Sequence, residues 1–137
     1  MRLLLISNST NAGEEYLKYP VPHIKDFLGE KEITCAFIPY AGVSISFDDY
    51  ITRVRARFKE AGHKINSVHE TGDPVDMIKS SDAIVVGGGN TWQLLKMIQE
   101  NGLIEPVVEE VTKGKPYIGW SAGANMACPT IKTTNDM

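Results

Sequence analysis

Pro116-Tyr117-Ile118-Gly119-Trp120-Ser121-Ala122-Gly123-Ala124-Asn125-Met126-Ala127 is the stretch that decides the fold. An apolar run leads into Gly-x-Ser-x-Gly, and small, helix-tolerant residues follow. Strand, Gly-x-Ser-x-Gly and helix in that order make a nucleophile elbow. A serine on so sharp a strand-to-helix turn has a strained backbone, and its neighbours two positions away must lack side chains. Gly119 and Gly123 meet that need. Such a turn lifts the Ser121 hydroxyl above a sheet and aims the first N–H groups of the helix at the same point.

Outward from the elbow, strand-like and helix-like stretches alternate. Arg2–Ser7, Ile33–Pro39, Lys64–His69, Ala83–Val86 and Pro116–Trp120 read as strands. Pro20–Gly29, Phe47–Ala61, Asp73–Ser80, Thr91–Gln99 and Pro106–Thr112 read as helices. Tyr50, Ile51, Val54, Phe58 and Ala61 recur with a helical period, with Gly62 as the stop. Asp73-Pro74 supplies a cap and a proline for the first helical position. Ala83–Val86 is apolar throughout, as a strand buried on both faces should be. The alternation predicts an α/β domain: a three-layer, doubly wound, mostly parallel sheet with helices on both faces. Ligands then bind at the carboxyl ends of the strands. The loops 7–10, 39–42, 69–72 and 87–91 and the elbow all fall at that edge.

Bulk properties narrow the function classes. The chain has 137 residues, enough for one domain with a real core, and a net charge of −3 with both signs interspersed. There is no Lys/Arg stripe or basic tail of the kind nucleic acid requires. No apolar run is long enough to span a bilayer. The opening Met1–Ile6 is interrupted by Ser7-Asn8-Ser9-Thr10 and reads as a strand rather than a signal peptide, so a cytoplasmic location is expected. Cys35 and Cys128 are too few for a disulfide scaffold and have no metal-ligand spacing; both read as packing residues.

Gly87-Gly88-Gly89-Asn90-Thr91 follows the fourth strand and opens a helix. Its glycines let backbone N–H groups approach a ligand closely. A phosphate cradle would do so, but the loop lacks both the Gly-Lys-Ser/Thr ending and the Gly-x-Gly-x-x-Gly spacing. The second half of an oxyanion hole, beside the elbow, fits better. Asn90 or Thr91 also suits a helix cap, which excludes neither reading. A serine nucleophile needs a base, and there are three histidines. His23 reads as a surface or partly buried residue, and His63, after Gly62, as a solvated one. His69 ends the third strand at the functional edge, where a structural, substrate-binding or basic role is open. Asp136 suits orientation of a histidine, binding of a substrate ammonium, or a plain loop carboxylate.

Taken together, the glycine loop and the elbow resemble the peptidase E (aspartyl dipeptidase) family of serine peptidases, which also includes cyanophycinase. The matching segments are 3–9, 37–43, 85–91 with Gln93-Leu94-Leu95, 117–125 and 128–137, so the likeness spans nearly the whole chain. The resemblance implies a class I glutamine amidotransferase-like (flavodoxin-like) fold and hydrolysis of dipeptides with an N-terminal aspartate, without a cofactor. It implies that Ser121 is the nucleophile, that Gly88, Gly89 and Ala122 form the oxyanion hole, and that Asn90 and Thr91 line the substrate site. Asp136 maps onto an acidic residue assigned to charge relay, a role that binding of the substrate amino group would suit equally. The family histidine lies beyond Asn135-Asp136-Met137, so the sequence reads as an N-terminal fragment of a longer domain; were 137 residues the whole molecule, the fifth strand would leave an exposed edge. A small peptide substrate and a monomeric or homodimeric state are expected. A catalytically inactive binding or assembly module and a cyanophycinase-like hydrolase are the competing readings.

Overall fold

The computed structural model describes residues 2–6 and 21–127. Five parallel strands form one sheet: β1 (Leu3–Ile6), β2 (Thr34–Ile38), β3 (Lys64–Ser67), β4 (Ala83–Val86) and β5 (Tyr117–Trp120), in the order β1-β5-β4-β2-β3. The helices are α1 (Val21–Leu28), α2 (Phe47–Glu60), α3 (Pro74–Ser80), α4 (Thr91–Glu100), α5 (Ile104–Thr112) and α6 (Ala122–Ala127). This is a flavodoxin-like α/β fold, and all the described strands are parallel.

The winding follows from handedness. The chain moves across the sheet one way through β1, β2 and β3, then returns through β4 to β5. Right-handed crossovers therefore place the connecting helices on opposite faces for the two directions. The side-chain alternation of β2 shows both. Cys35 and Phe37 pack with Ile24 of α1 and with Ile51, Val54 and Phe58 of α2. Ala36 and Ile38 pack with Ile78 of α3, Leu94 and Ile98 of α4, and Val107 and Val111 of α5. The three inner strands β2, β4 and β5 are buried nearly throughout. β3 alternates exposed and buried residues, as a sheet edge does.

Three expectations change. The fifth strand is not an edge: β5 pairs with β1 on one side and β4 on the other, and among the described strands the outer ones are β1 and β3. The chain returns to fill the gap beside β1 instead of adding outward. β3 stops at Ser67 and a 3₁₀ turn, Val68–Glu70, follows. Ser67 and Glu70 close that turn as a capping box, with the Glu70 carboxylate accepting the Ser67 N–H at 2.8 Å. α5 begins at Ile104, ahead of Pro106, because the first turn of a helix has no use for the N–H that proline lacks.

Cys35 is a core thiol, fully buried in β2. Burial first, and the nearby Asp82 charge second, push its pKa up to about 12. The thiolate is the reactive form. Iodoacetamide at pH 8 should therefore leave Cys35 unmodified in the folded protein and alkylate it in urea; peptide mapping with native-state alkylation at Cys35 would contradict this.

Candidate active site

β5 ends and α6 begins around Ser121, which has φ of 52°, the one non-glycine positive φ among the described residues. A left-handed backbone costs a residue with a Cβ about 1–2 kcal/mol, so the surroundings must hold it there. Several contacts do. The Ser121 N–H donates to the Ile6 carbonyl of β1 at 2.8 Å. The buried Tyr117 hydroxyl donates to the Gly123 carbonyl at 2.7 Å, tying the strand to the helix that follows. Gly119 and Gly123 touch backbone to backbone: a Cβ on Gly119 would lie 2.7 Å from the Gly123 carbonyl carbon. A Cβ on Gly123 would lie 2.9 Å from the Val86 carbonyl carbon, and nearer still to its oxygen. Each glycine is thus demanded by close approach, as the pattern predicts.

Pairing of β4 with β5 brings the glycine loop to the elbow. A Cβ on Gly88 would stand 2.8 Å from Ser121 Cβ. Gly89 has φ of 140°, and a Cβ there would meet the Ala41 carbonyl carbon at 2.6 Å. The loop is held by Gly87 N–H to Ile38 O at 3.2 Å and Asn90 N–H to Ala41 O at 2.8 Å. It is also held by a residue that periodicity presents only as core: Tyr50 of α2, whose hydroxyl donates to the Gly88 carbonyl at 2.9 Å. In a trans peptide the carbonyl and the next N–H point oppositely, so this bond turns the Gly89 N–H away from Tyr50. The N–H groups of Gly88, Gly89 and Ala122 make no backbone hydrogen bond among the described residues. Beneath lies an aromatic floor, with Trp120 stacked on Phe37 at 5.9 Å and Phe37 edge-on to Tyr50 at 5.1 Å.

A cleft of about 540 Å³ opens above these groups. Ser121, Gly88, Gly89, Trp120 and Tyr50 line it together with the 42–46 loop and with Asp49 and Arg53 of α2. Ser121, Gly88 and Gly89 therefore come together as expected, and Ala122 is buried next to Ser121 at the start of α6. Asn90 and Thr91 sit at the mouth of α4 and are not among the lining residues. The Asn90 Oδ1 accepts the Gln93 N–H at 2.9 Å, so the capping role holds. Asp136, Cys128 and the 7–10 loop lie outside the described residues.

None of the histidines lines the cleft. His63 is not solvated: it is 4% exposed, with Nδ1 accepting from Ile33 N–H at 3.2 Å and Nε2 3.1 Å from Gly29 O. It bridges the ends of α1 and β2. His23 is exposed on α1. His69, in the 3₁₀ turn, packs edge-on to Phe47 and binds Asp48 at 2.8 Å through Nε2, while Nδ1 meets the Ser67 hydroxyl. Ser, His and Asp so arranged look like a triad, but Ser67 is fully buried and its oxygen caps the turn, so no substrate reaches it. No cluster of metal-ligating side chains occurs among the described residues, and none of their helices is long and apolar enough to cross a membrane.

A family model described as peptidase family S51 matches residues 3–137. The chain belongs to peptidase family S51. Among S51 relatives, a "Peptidase E" of Nostoc sp. is 48% identical over 136 residues, covering 99% of this chain and 56% of its own length. A "Peptidase E" of Escherichia coli is 47% identical over 137 residues, covering 100% of this chain and 59% of its own. The chain thus spans under two thirds of the length of these curated relatives. A Listeria monocytogenes crystal structure assigned as a candidate peptidase E superposes with a TM-score of 0.73 at 28% identity, over 91% of this chain and 60% of that one. A peptidase from an acI-B1 Actinobacterium shares the fold, with a TM-score of 0.69 at 20% identity over 91% of this chain and 55% of that one.

In this S51 chain Tyr50 is the residue that local sequence reading misses. Replacing it with phenylalanine removes the hydroxyl that orients the Gly88–Gly89 peptide. We expect kcat/KM to fall about tenfold and stability by about 1 kcal/mol, the worth of one hydrogen bond. Steady-state kinetics and urea melts check this; unchanged kinetics with lowered stability would make Tyr50 purely structural.

Proposed function

We propose that this chain carries the nucleophile and oxyanion hole of a serine peptidase that hydrolyses dipeptides with an N-terminal aspartate. The observation that carries the reading is Ser121 held in the left-handed region at a strand-to-helix turn, against the glycine loop. The Ser121 oxygen attacks the peptide carbonyl as its proton passes to a base. None of the described histidines lines the cleft, and the base is assigned to none of them. The tetrahedral oxyanion accepts hydrogen bonds from the N–H of Ala122 and those of Gly88 or Gly89. The intermediate expels the C-terminal amino acid, which takes the proton and leaves an aspartyl ester on Ser121. Water then cleaves the ester, releasing aspartate and restoring the hydroxyl. Serine rather than cysteine at the elbow disfavours an amidotransferase-type thiol mechanism.

Substrate class is tested by incubating the encoded protein with Asp-Leu, Ala-Leu, Lys-Leu and a polyaspartate whose side chains carry arginine. The expected result is release of leucine from Asp-Leu alone. Cleavage of only the polymer would move the assignment to a cyanophycinase-like hydrolase. Cleavage of none, from protein that is folded, would favour a binding or assembly module.

A further inference from the structure

Residues 49, 50 and 53 of α2 turn one stripe of the helix toward the cleft of Ser121. Tyr50 anchors that stripe to Gly88. The other two are charged: Asp49 in the first turn of α2 and Arg53 one turn later. Among the described residues that line the cleft no other is charged, and Arg53 is the one cation among them. Arg57 binds Glu60 and Arg55 binds Glu70, but Arg53 makes no ion pair or hydrogen bond among the described residues. Asp49 lies four residues away without pairing to it, and the positive end of α2 offsets the Asp49 charge. A guanidinium with its donors unspent, in the same cleft as an elbow serine, offers a fork that matches a carboxylate.

We propose that Arg53 binds a carboxylate of the peptide substrate and so helps determine which peptides are cleaved. The inference rests on the peptidase reading above and adds a residue to it. An aspartyl dipeptide offers two carboxylates, the aspartate side chain and the free C-terminus, and either has the required chemistry. A neutral peptide blocked at its C-terminus offers neither. The position is exposed on a helix, and glutamine keeps nearly the helix propensity of arginine, so the side chain can be exchanged without disturbing the fold.

The test uses R53Q and R53K in the encoded protein, assayed on Asp-Leu, Asp-Leu-amide and Asn-Leu. Loss of a charged hydrogen-bonding partner predicts a KM for Asp-Leu roughly 10- to 100-fold higher in R53Q, with kcat changed much less. R53K should recover part of the loss. If Arg53 holds the C-terminus, R53Q erases the wild-type preference for Asp-Leu over its amide. If it holds the side chain, R53Q erases the preference for Asp-Leu over Asn-Leu. Wild-type KM values on all three peptides would overturn the proposal while leaving the peptidase reading intact. Binding is read independently of turnover by calorimetry of Asp-Leu with S121A and with the R53Q S121A double variant. At least tenfold weaker binding by the double variant supports the assignment; equal affinity overturns it, even if the wild-type protein proves unable to cleave the peptide.

Discussion

Replacing Ser121 with alanine should lower kcat for aspartyl-dipeptide hydrolysis by roughly 10⁴- to 10⁶-fold, the scale of removing a serine nucleophile from a hydrolase that keeps its oxyanion hole. The fold should survive, because the turn is secured by its neighbours: the Ser121 N–H on Ile6, the Tyr117 hydroxyl on Gly123, and the glycine contacts with β4. A companion variant separates catalysis from strain. With φ of 52°, Ser121 sits where only glycine is at ease. Ser121→Gly relieves about 1–2 kcal/mol of backbone strain in the folded state and gives back part of it as unfolded-state entropy, for a net gain near 1 kcal/mol over Ser121→Ala. The account therefore expects S121G to be as inactive as S121A yet to unfold at higher urea. Equal urea midpoints for the two would mean the turn carries no strain.

The second large effect is expected at Gly123, where an added methyl would strike the Val86 backbone of β4 rather than a yielding side chain. Strand and helix would have to separate. Backbone clashes of this kind lie at the upper end of overpacking costs, about 3 kcal/mol or more. The same movement shifts the Ala122 N–H from the glycine loop, and misplacement of about 1 Å can cost on the order of 10²-fold in rate. Gly72→Ala is the control, since a Cβ there meets nothing within 4 Å, and its stability should stay within about 0.5 kcal/mol of wild type. Urea melts of G123A and G72A with similar midpoints would show that the elbow does not depend on the close contact of α6 with β4.

What the sequence discloses and what it hides divide by distance along the chain. Strands β2, β4 and β5 are legible because strands buried on both faces must be apolar, and Ala83–Val86 is apolar throughout. The elbow is legible because its constraints, two close-approach glycines around a strained serine, fall within five residues. The capping box of Ser67 and Glu70 is equally local, but it follows a strand-like run that masks where β3 stops. Longer-range partners leave no such trace. Tyr50 fits the helical period of a core residue, while its hydroxyl serves Gly88, 38 positions away. His63 follows a turn glycine and reads as solvated, yet its partners are Ile33 and Gly29, 30 and 34 positions away. Arg53 has no local signature at all; only the packing of α2 beside the glycine loop brings it into the cleft. Strand order is hidden for the same reason: nothing within Tyr117–Trp120 says that β5 inserts between β1 and β4.

The central claim is that Ser121 is an activated nucleophile, and covalent capture tests it most directly. The encoded protein is treated with a serine-directed phosphonate, digested, and mapped by mass spectrometry, with S121A treated in parallel. The account predicts one stoichiometric adduct on the peptide that contains Gly119-Trp120-Ser121-Ala122-Gly123, absent from S121A and from protein unfolded before treatment. A folded wild-type protein that takes no adduct at Ser121, or an S121A variant labelled to the same extent as the wild type, would contradict it.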